Sequence, residues 1–417
     1  MTPPRVPAES GFDHTLALLS EGYRFLTGRF ERFGADVFTT RLMLRKALCV
    51  RGEDAARMFY QPGRFTRRHA LPPTTMALLQ DFGSVMALDG EAHRRRKAMF
   101  MSLLGPLERQ RLVGLAVAQW RAQFARWAGL PSVTVNQEAE LVLCRAVCQW
   151  AGIPIGTDEA RQRAAELSAM IAGAGSFGPR TWKALMLRHR TERWARALVD
   201  AVRAGHAQAP FDSALNVIAR HRDADGELID RRHAAVELIN FLRPTVAVSR
   251  FITFAVLAMH EHPECRARIA AGDEAYLSMF AEEVRRYYPF LPAMGGRALH
   301  AFDWHGLHIE KGTWVLLDLY GTDMHPAIWG DPEVFRPERF ARRESSGFDL
   351  IPQGGGDHYA GHRCPGEDAT LGLVKSAAKL FATEIAYEVP PQDLSIDLGR
   401  IPTLPASGMV IRKISPA

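Results

Sequence analysis

Cysteine is scarce in this chain of 417 residues: Cys49, Cys144, Cys148, Cys265 and Cys364 are the five. The set is odd in number and holds no CxxC pair, which argues against a disulfide framework and for free thiols in a reducing, cytoplasmic setting. Cys144 and Cys148, four apart in "LVLCRAVCQW", read as small apolar core residues. Long apolar runs are also lacking. No stretch of about eighteen uncharged apolar residues occurs, so no membrane span is expected. The start "MTPPRVPAESGF" has no apolar core of a secretion signal. The net charge of +6 is spread along the chain. With no zinc-finger spacing and no basic stripe interleaved with aromatics, nucleic acid is not an expected partner.

What the chain does have is an ordinary globular balance, 47% hydrophobic and 24% charged, which excludes disorder over most of its length. Apolar residues recur every three or four positions in most segments, and helices are expected to dominate from Gly90 to His262. "DHTLALLSEGYRFLTGRFERF" reads as one helix capped by Asp13. "DVFTTRLMLRKALCVRG" reads as a strand hairpin, and a second strand region spans "GGRALHAFDWHGLHIEKGTWVLLDLY". The tail "DLGRIPTLPASGMVIRKI" suggests a last hairpin. Breaks fall at "AGIPIG", "AGAGSFGPR" and "QAPFDS". The expectation is a single domain over residues 1–417, mainly α with small peripheral β-sheets.

Four fragments carry chemistry. In "GGGDHYAGHRCPGED" (354–368), Cys364 sits in a glycine-dense loop just ahead of a helix. Glycines let the backbone approach a bulky flat group. The helix start offers free N–H groups and a positive dipole end, which favour a thiolate able to ligate haem iron. In "FAEEVRRYYPF", Glu283 and Arg286 lie three apart on one helix face and can pair. "FRPERF" supplies Arg339 as a candidate third member of that network. In "DGEAHRRRKAMF", His93 and Lys97 are one turn apart and can face an anion together. Each fragment alone has a bland reading: a structural loop cysteine, surface ion pairs, a solvated basic helix face.

Their order along nearly the whole chain resembles the cytochrome P450 family. The resemblance implies the P450 fold, with haem b bound by the Cys364 thiolate and with His93, Lys97 and Arg297 at the propionates. Two positions depart from the family pattern. Asp357 stands where a phenylalanine is usual, seven before the cysteine, and Ala360 where a glycine is usual, four before it. The loop is therefore expected to be reshaped.

The most informative stretch is "NFLRPTVAVSR", 240–250, inside an apolar run from Ala234 to His262. Ordinary members carry an acid–alcohol pair there, to relay protons to oxygen. Here Arg243-Pro244 takes its place. Pro244 removes an N–H and opens the helix locally. A buried guanidinium needs an anion, and its planar fork matches a carboxylate. The alternatives are a carboxylate from another helix or one brought by the substrate. The Arg-Pro pattern, with "RPTVAVSRFITF" following, resembles the fatty-acid peroxygenase branch of the family, and with the second alternative this implies a fatty acid held by Arg243 whose own carboxylate serves as general base and then acid toward hydrogen peroxide. No obligatory redox protein is then needed. Met86, Phe290 and Phe177 are candidate walls for the chain, with Phe177 at the entrance. Each has an equal reading as core or loop filler. α- or β-hydroxylation is expected to prevail over decarboxylation to 1-alkenes. A monooxygenase fed by a redox partner and a non-enzymatic haem-thiolate binding protein remain as alternatives.

Overall fold

The apolar run around Arg243 builds two helical segments, Arg231–Ala247 and Ser249–Glu261, joined through Val248, which keeps right-handed helical angles. In the computed structural model, which describes residues 6–417, the 31 residues from Arg231 to Glu261 are long and apolar enough to cross a membrane, but 89% of their most apolar stretch is buried inside the protein. This is a core helix. Asp230 caps its start, accepting the N–H of Arg232 at 2.8 Å and of His233 at 3.3 Å. The helices Val135–Trp150, Thr157–Gly173 and Pro179–Arg203 pack around it. The gaps between these helices fall at the three Gly/Pro-rich breaks seen in the sequence.

A five-stranded sheet lies to one side, in the order Val37–Leu42, Arg45–Val50, Trp314–Asp318, Ala293–Ala298, Phe65–Thr66. Its central strand "WVLLD" is buried along its whole length, as a continuous apolar run in mid-sheet must be. Smaller sheets join Ser132–Thr134, Val410–Pro416 and Ile385–Glu388, and pair Phe302–Trp304 with Leu307–Ile309.

Two expectations need correction. The first helix is two, Thr15–Glu21 and Arg24–Phe33, broken at Gly22. Gly22 has φ 59°, and a Cβ there would lie 2.4 Å from the Leu398 carbonyl. Asp13 binds the N–H groups of Thr15 and Leu44, tying the helix start to the neighbouring hairpin. The tail hairpin is reduced to one bridge, Ile396 to Pro405, because prolines 402 and 405 remove ladder donors. Only Val410–Pro416 forms a strand, and it pairs with the two short strands of its own sheet.

Candidate active site

Between the central helix and the cysteine loop lies a cavity of about 810 Å³. Phe100 and Phe241, stacked at 4.4 Å, form part of its apolar wall. Cys364 lines one side, and Arg243 and Pro244 line it from the central helix.

The cysteine loop is held by its own backbone. Gly354 and Gly356 take φ values of 91° and 83°. Asp357, in the place of the usual phenylalanine, accepts the N–H groups of Tyr359 at 2.7 Å and Ala360 at 2.8 Å and so forms the turn itself. The close approach falls one residue later than the family pattern: a Cβ on Gly361 would sit 2.6 Å from the Asp357 carbonyl. The Cys364 N–H donates to the Gln353 carbonyl at 3.1 Å, and the Gln353 amide nitrogen lies 3.7 Å from Sγ. Burial pushes the Cys364 thiol up, while the Gly366 N–H pulls against it. The expected thiolate is therefore not stabilised by the helix start alone; bonding to a metal cation would supply the rest.

Across the loop stands a wall of buried basic side chains. Lys97 is lowered by burial to about 8 and donates to the Arg363 carbonyl. His93 is lowered to about 4, by burial first and by Lys97 second. Its ring lies 4.0 Å from that of His362, whose Nδ1 has no partner. Arg67 completes this wall; it is 4% exposed, donates to the Gly295 carbonyl at 3.0 Å and leaves its Nε unpartnered. Arg297, expected here, is not in the cavity wall. It donates to the carbonyls of His69 at 2.9 Å and Gly312 at 3.3 Å. Arg297 pairs with Thr66 across the sheet, and the next residue, Arg67, turns into the cavity instead. Sequence reasoning missed Arg67 and Gln353; neither belongs to a spaced motif. A buried guanidinium nitrogen and a buried imidazole nitrogen without partners, beside Lys97 and in one apolar cavity with Cys364, fit a flat dianionic macrocycle that the thiolate would ligate.

Arg243 is 3% exposed and forms no ion pair among the described residues. Its Nη1 donates to Asn240 Oδ1 at 3.1 Å. Burial pulls its guanidinium well below the usual range, and Arg188 adds to the effect. The nearest acids are taken. Glu237 binds Arg96 at 2.7 Å, the Val85 N–H at 2.8 Å and Asn240 Nδ2 at 2.9 Å. Glu192 binds Arg188 at 2.8 Å. Of the two anions considered for Arg243, a carboxylate from another helix is absent.

The family model for cytochrome P450 matches residues 273–369. The structure of Cytochrome P450SP alpha (CYP152B1) in complex with (R)-ibuprophen superposes with a TM-score of 0.94 at 43% identity, covering 97% of this chain and 99% of that one. Cytochrome P450EX alpha (CYP152N1) with myristic acid gives a TM-score of 0.96 at 37% identity, over 99% of this chain and 100% of that one. The chain belongs to the cytochrome P450 family. A more distant curated relative, human Cytochrome P450 26C1, is 26% identical over 90% of this chain and 80% of that protein. Membership carries a haem with a cysteine thiolate ligand.

The remaining candidate residues of this P450 fall into two groups. Glu283, Arg286 and Arg339 come together away from the cavity. Arg286 binds both oxygens of Glu283 at 2.7 Å, and Arg339 Nε reaches Glu283 at 3.1 Å. The Arg336 N–H adds a bond at 2.8 Å. Met86, Phe290 and Phe177 all line the cavity. Met86 rides on the short turn Val85–Ala87, anchored by Glu237. Phe290 stacks on Phe251 at 4.4 Å. Phe177, 80% exposed, stands at the mouth.

Proposed function

We propose that this P450 is a peroxygenase that uses hydrogen peroxide to oxidise long-chain fatty acids beside their carboxylate. One observation carries the reading: a buried arginine shares an apolar cavity with Cys364, and among the described residues its one hydrogen-bond partner is a neutral amide. Solved neighbours point the same way. Cytochrome P450EX alpha was crystallised with myristic acid, and a variant of cytochrome P450 OleT, 34% identical, with arachidonic acid.

The cofactor is read as haem b, which Cys364 would ligate and whose carboxylates Lys97, His93 and Arg67 would bind. When bound, it supplies thiolate-promoted O–O cleavage and oxygen insertion into C–H bonds. The chain's own residues do the rest. Arg243 clamps the acid's carboxylate as a fork. The apolar walls hold the alkyl chain and exclude water, which strengthens that ion pair. The clamped carboxylate takes a proton from one oxygen of hydrogen peroxide and returns it to the other. No side chain of the central helix offers a competing relay. Pro244 has no N–H, and the Thr245 hydroxyl is spent on the Phe241 carbonyl at 2.9 Å. A redox partner is therefore unnecessary. The five free cysteines fit a reducing cytoplasm.

The test is incubation of the purified holoprotein with tetradecanoic or hexadecanoic acid and hydrogen peroxide, with products read by mass spectrometry. Hydroxy acids, with a minor share of 1-alkenes, are expected without any reductase. A short carboxylic acid seated on Arg243 is expected to switch on oxidation of unrelated small substrates. Turnover that requires a reductase and is absent with peroxide overturns the reading.

A further inference from the structure

Two turns along the central helix from Arg243 stands a second buried arginine, Arg250. It is 4% exposed and belongs to the wall of the same cavity. Seven residues of helix return a side chain to nearly the same face, about 10 Å further along. Its Nε and Nη1 have no hydrogen-bond partner. The one acid that bears on it is Glu140. That carboxylate makes no ion pair with Arg250: Ser168 Oγ at 2.6 Å and Asn136 Nδ2 at 3.0 Å both bind its Oε1, and burial pushes it up while the Arg250 charge pulls against that. The Tyr23 hydroxyl beside Arg250 donates to the Phe290 carbonyl at 2.6 Å.

The other charged neighbours are cations, Arg180 and Arg400. Arg180 follows the mouth segment that holds Gly175 and Phe177, and Arg400 precedes Ile401 and Pro402. The two segments touch: a Cβ on Gly175 would lie 2.5 Å from the Ile401 carbonyl, and both residues line the cavity. Among the described residues, none of the three arginines forms an ion pair. The outer cavity thus has a buried cation in its wall and two exposed ones on the segments that flank its mouth. An ordinary fatty acid held by Arg243 would offer this region only its methyl end.

We propose that Arg250, with Arg180 and Arg400 at the rim, is a second carboxylate site in the channel. Its ligand is the far carboxylate of an α,ω-dicarboxylic acid whose first carboxylate sits on Arg243. The same chemistry serves the headgroup of a monoacid passing inward. The inference rests on Arg243 as the inner anchor. A fork left unpaired in a low-dielectric wall gains a charge-assisted pair from either source.

The experiment is calorimetric titration of the holoprotein with tetradecanoic acid and with decanedioic, dodecanedioic, tetradecanedioic and hexadecanedioic acids. Wild type, Arg250→Met and the rim variant Arg400→Gln are compared, with stopped-flow association of tetradecanoic acid alongside. At least one diacid is expected to bind about 10-fold more weakly to Arg250→Met, while the monoacid changes less than about twofold. Arg400→Gln, at an exposed position, shifts the diacid in the same direction by a smaller factor. Slowed monoacid association in Arg250→Met, with diacid affinity unchanged, assigns the site to entry. If neither diacid affinity nor monoacid association changes in either variant, the second site is overturned, whatever Arg243→Ala does. Monoacid binding that survives Arg243→Ala instead overturns the inner anchor.

Discussion

Arg286 and Arg243 are both buried arginines on long helices, and the protein treats them in opposite ways. Arg286 is fully buried and satisfied, with both Glu283 oxygens at 2.7 Å and the Asp323 carbonyl at 3.2 Å. Arg243 is almost as deeply buried and has one neutral acceptor. A buried charge costs several kcal/mol unless it is paired. The first arginine meets that cost within the fold. The second leaves it standing, to be met by a ligand.

The largest expected effect breaks the paired side. Glu283→Ala leaves Arg286 and Arg339 without their shared carboxylate, at a cost of about 3–5 kcal/mol. Loss of soluble folded protein, or a fallen denaturant midpoint, is the readout. An unchanged midpoint would deny that the network holds the fold.

Removing the unpaired arginine is expected to do the reverse. Arg243→Ala deletes an uncompensated charge, so stability holds or rises by about 1 kcal/mol. Fatty-acid turnover falls by about 100-fold or more, equivalent to ~3 kcal/mol. Calorimetry and product analysis of one preparation check both. A variant that is inactive because it is unfolded would make Arg243 a structural residue like Arg286.

The contrast was partly legible in the sequence. The Glu283–Arg286 spacing and the "FRPERF" fragment mark a network, because helix periodicity alone decides that two residues three apart meet. Arg243 stood out because no acid lies beside it on its own helix. What sequence could not show is the lateral placement of side chains from separate strands. Arg297 sits on the rung opposite Thr66 and Arg67 just past the end of that strand, and which of them enters the cavity depends on strand register and where the strand stops. Arg250 was equally hidden, since its environment depends on Glu140, held through Oε1 by Asn136 and Ser168, all three distant in sequence from Arg250. The loop departures at Asp357 and Ala360 were visible as departures, but their remedy, an Asp357 turn with Gly361 packed against it, is three-dimensional.

Asp318 sharpens the comparison from the acidic side. It is fully buried, its Oδ2 has no partner, and burial raises its carboxyl to about 7 against the opposing Gly321 N–H bond. An acid raised on folding binds more protons folded than unfolded, so its contribution to stability falls as pH rises from about 4 to about 7. Asp318→Asn keeps an acceptor for the Gly321 N–H and removes the titration. The variant should gain about 2 to 3 kcal/mol relative to wild type between about pH 5 and about pH 8. Denaturant midpoints at both pH values give the difference. A constant offset would show that Asp318 stays ionised.

The smallest effect probes what holds Arg243 in place. Asn240 accepts from Arg243 and donates to Glu237, which in turn binds Arg96 and the turn carrying Met86. The anchor is thus steered by a neutral amide rather than neutralised by an acid, and its charge stays available for a ligand. Asn240→Leu removes the one acceptor of that fork among the described residues while preserving bulk. A loss of about 1 kcal/mol in fatty-acid affinity is expected, seen as a several-fold rise in KM. Because the guanidinium and the substrate carboxylate both remain, kcat should change less than KM. A fall in kcat as large as that of Arg243→Ala would mean that the amide takes part in proton transfer itself and is more than a guide for the arginine.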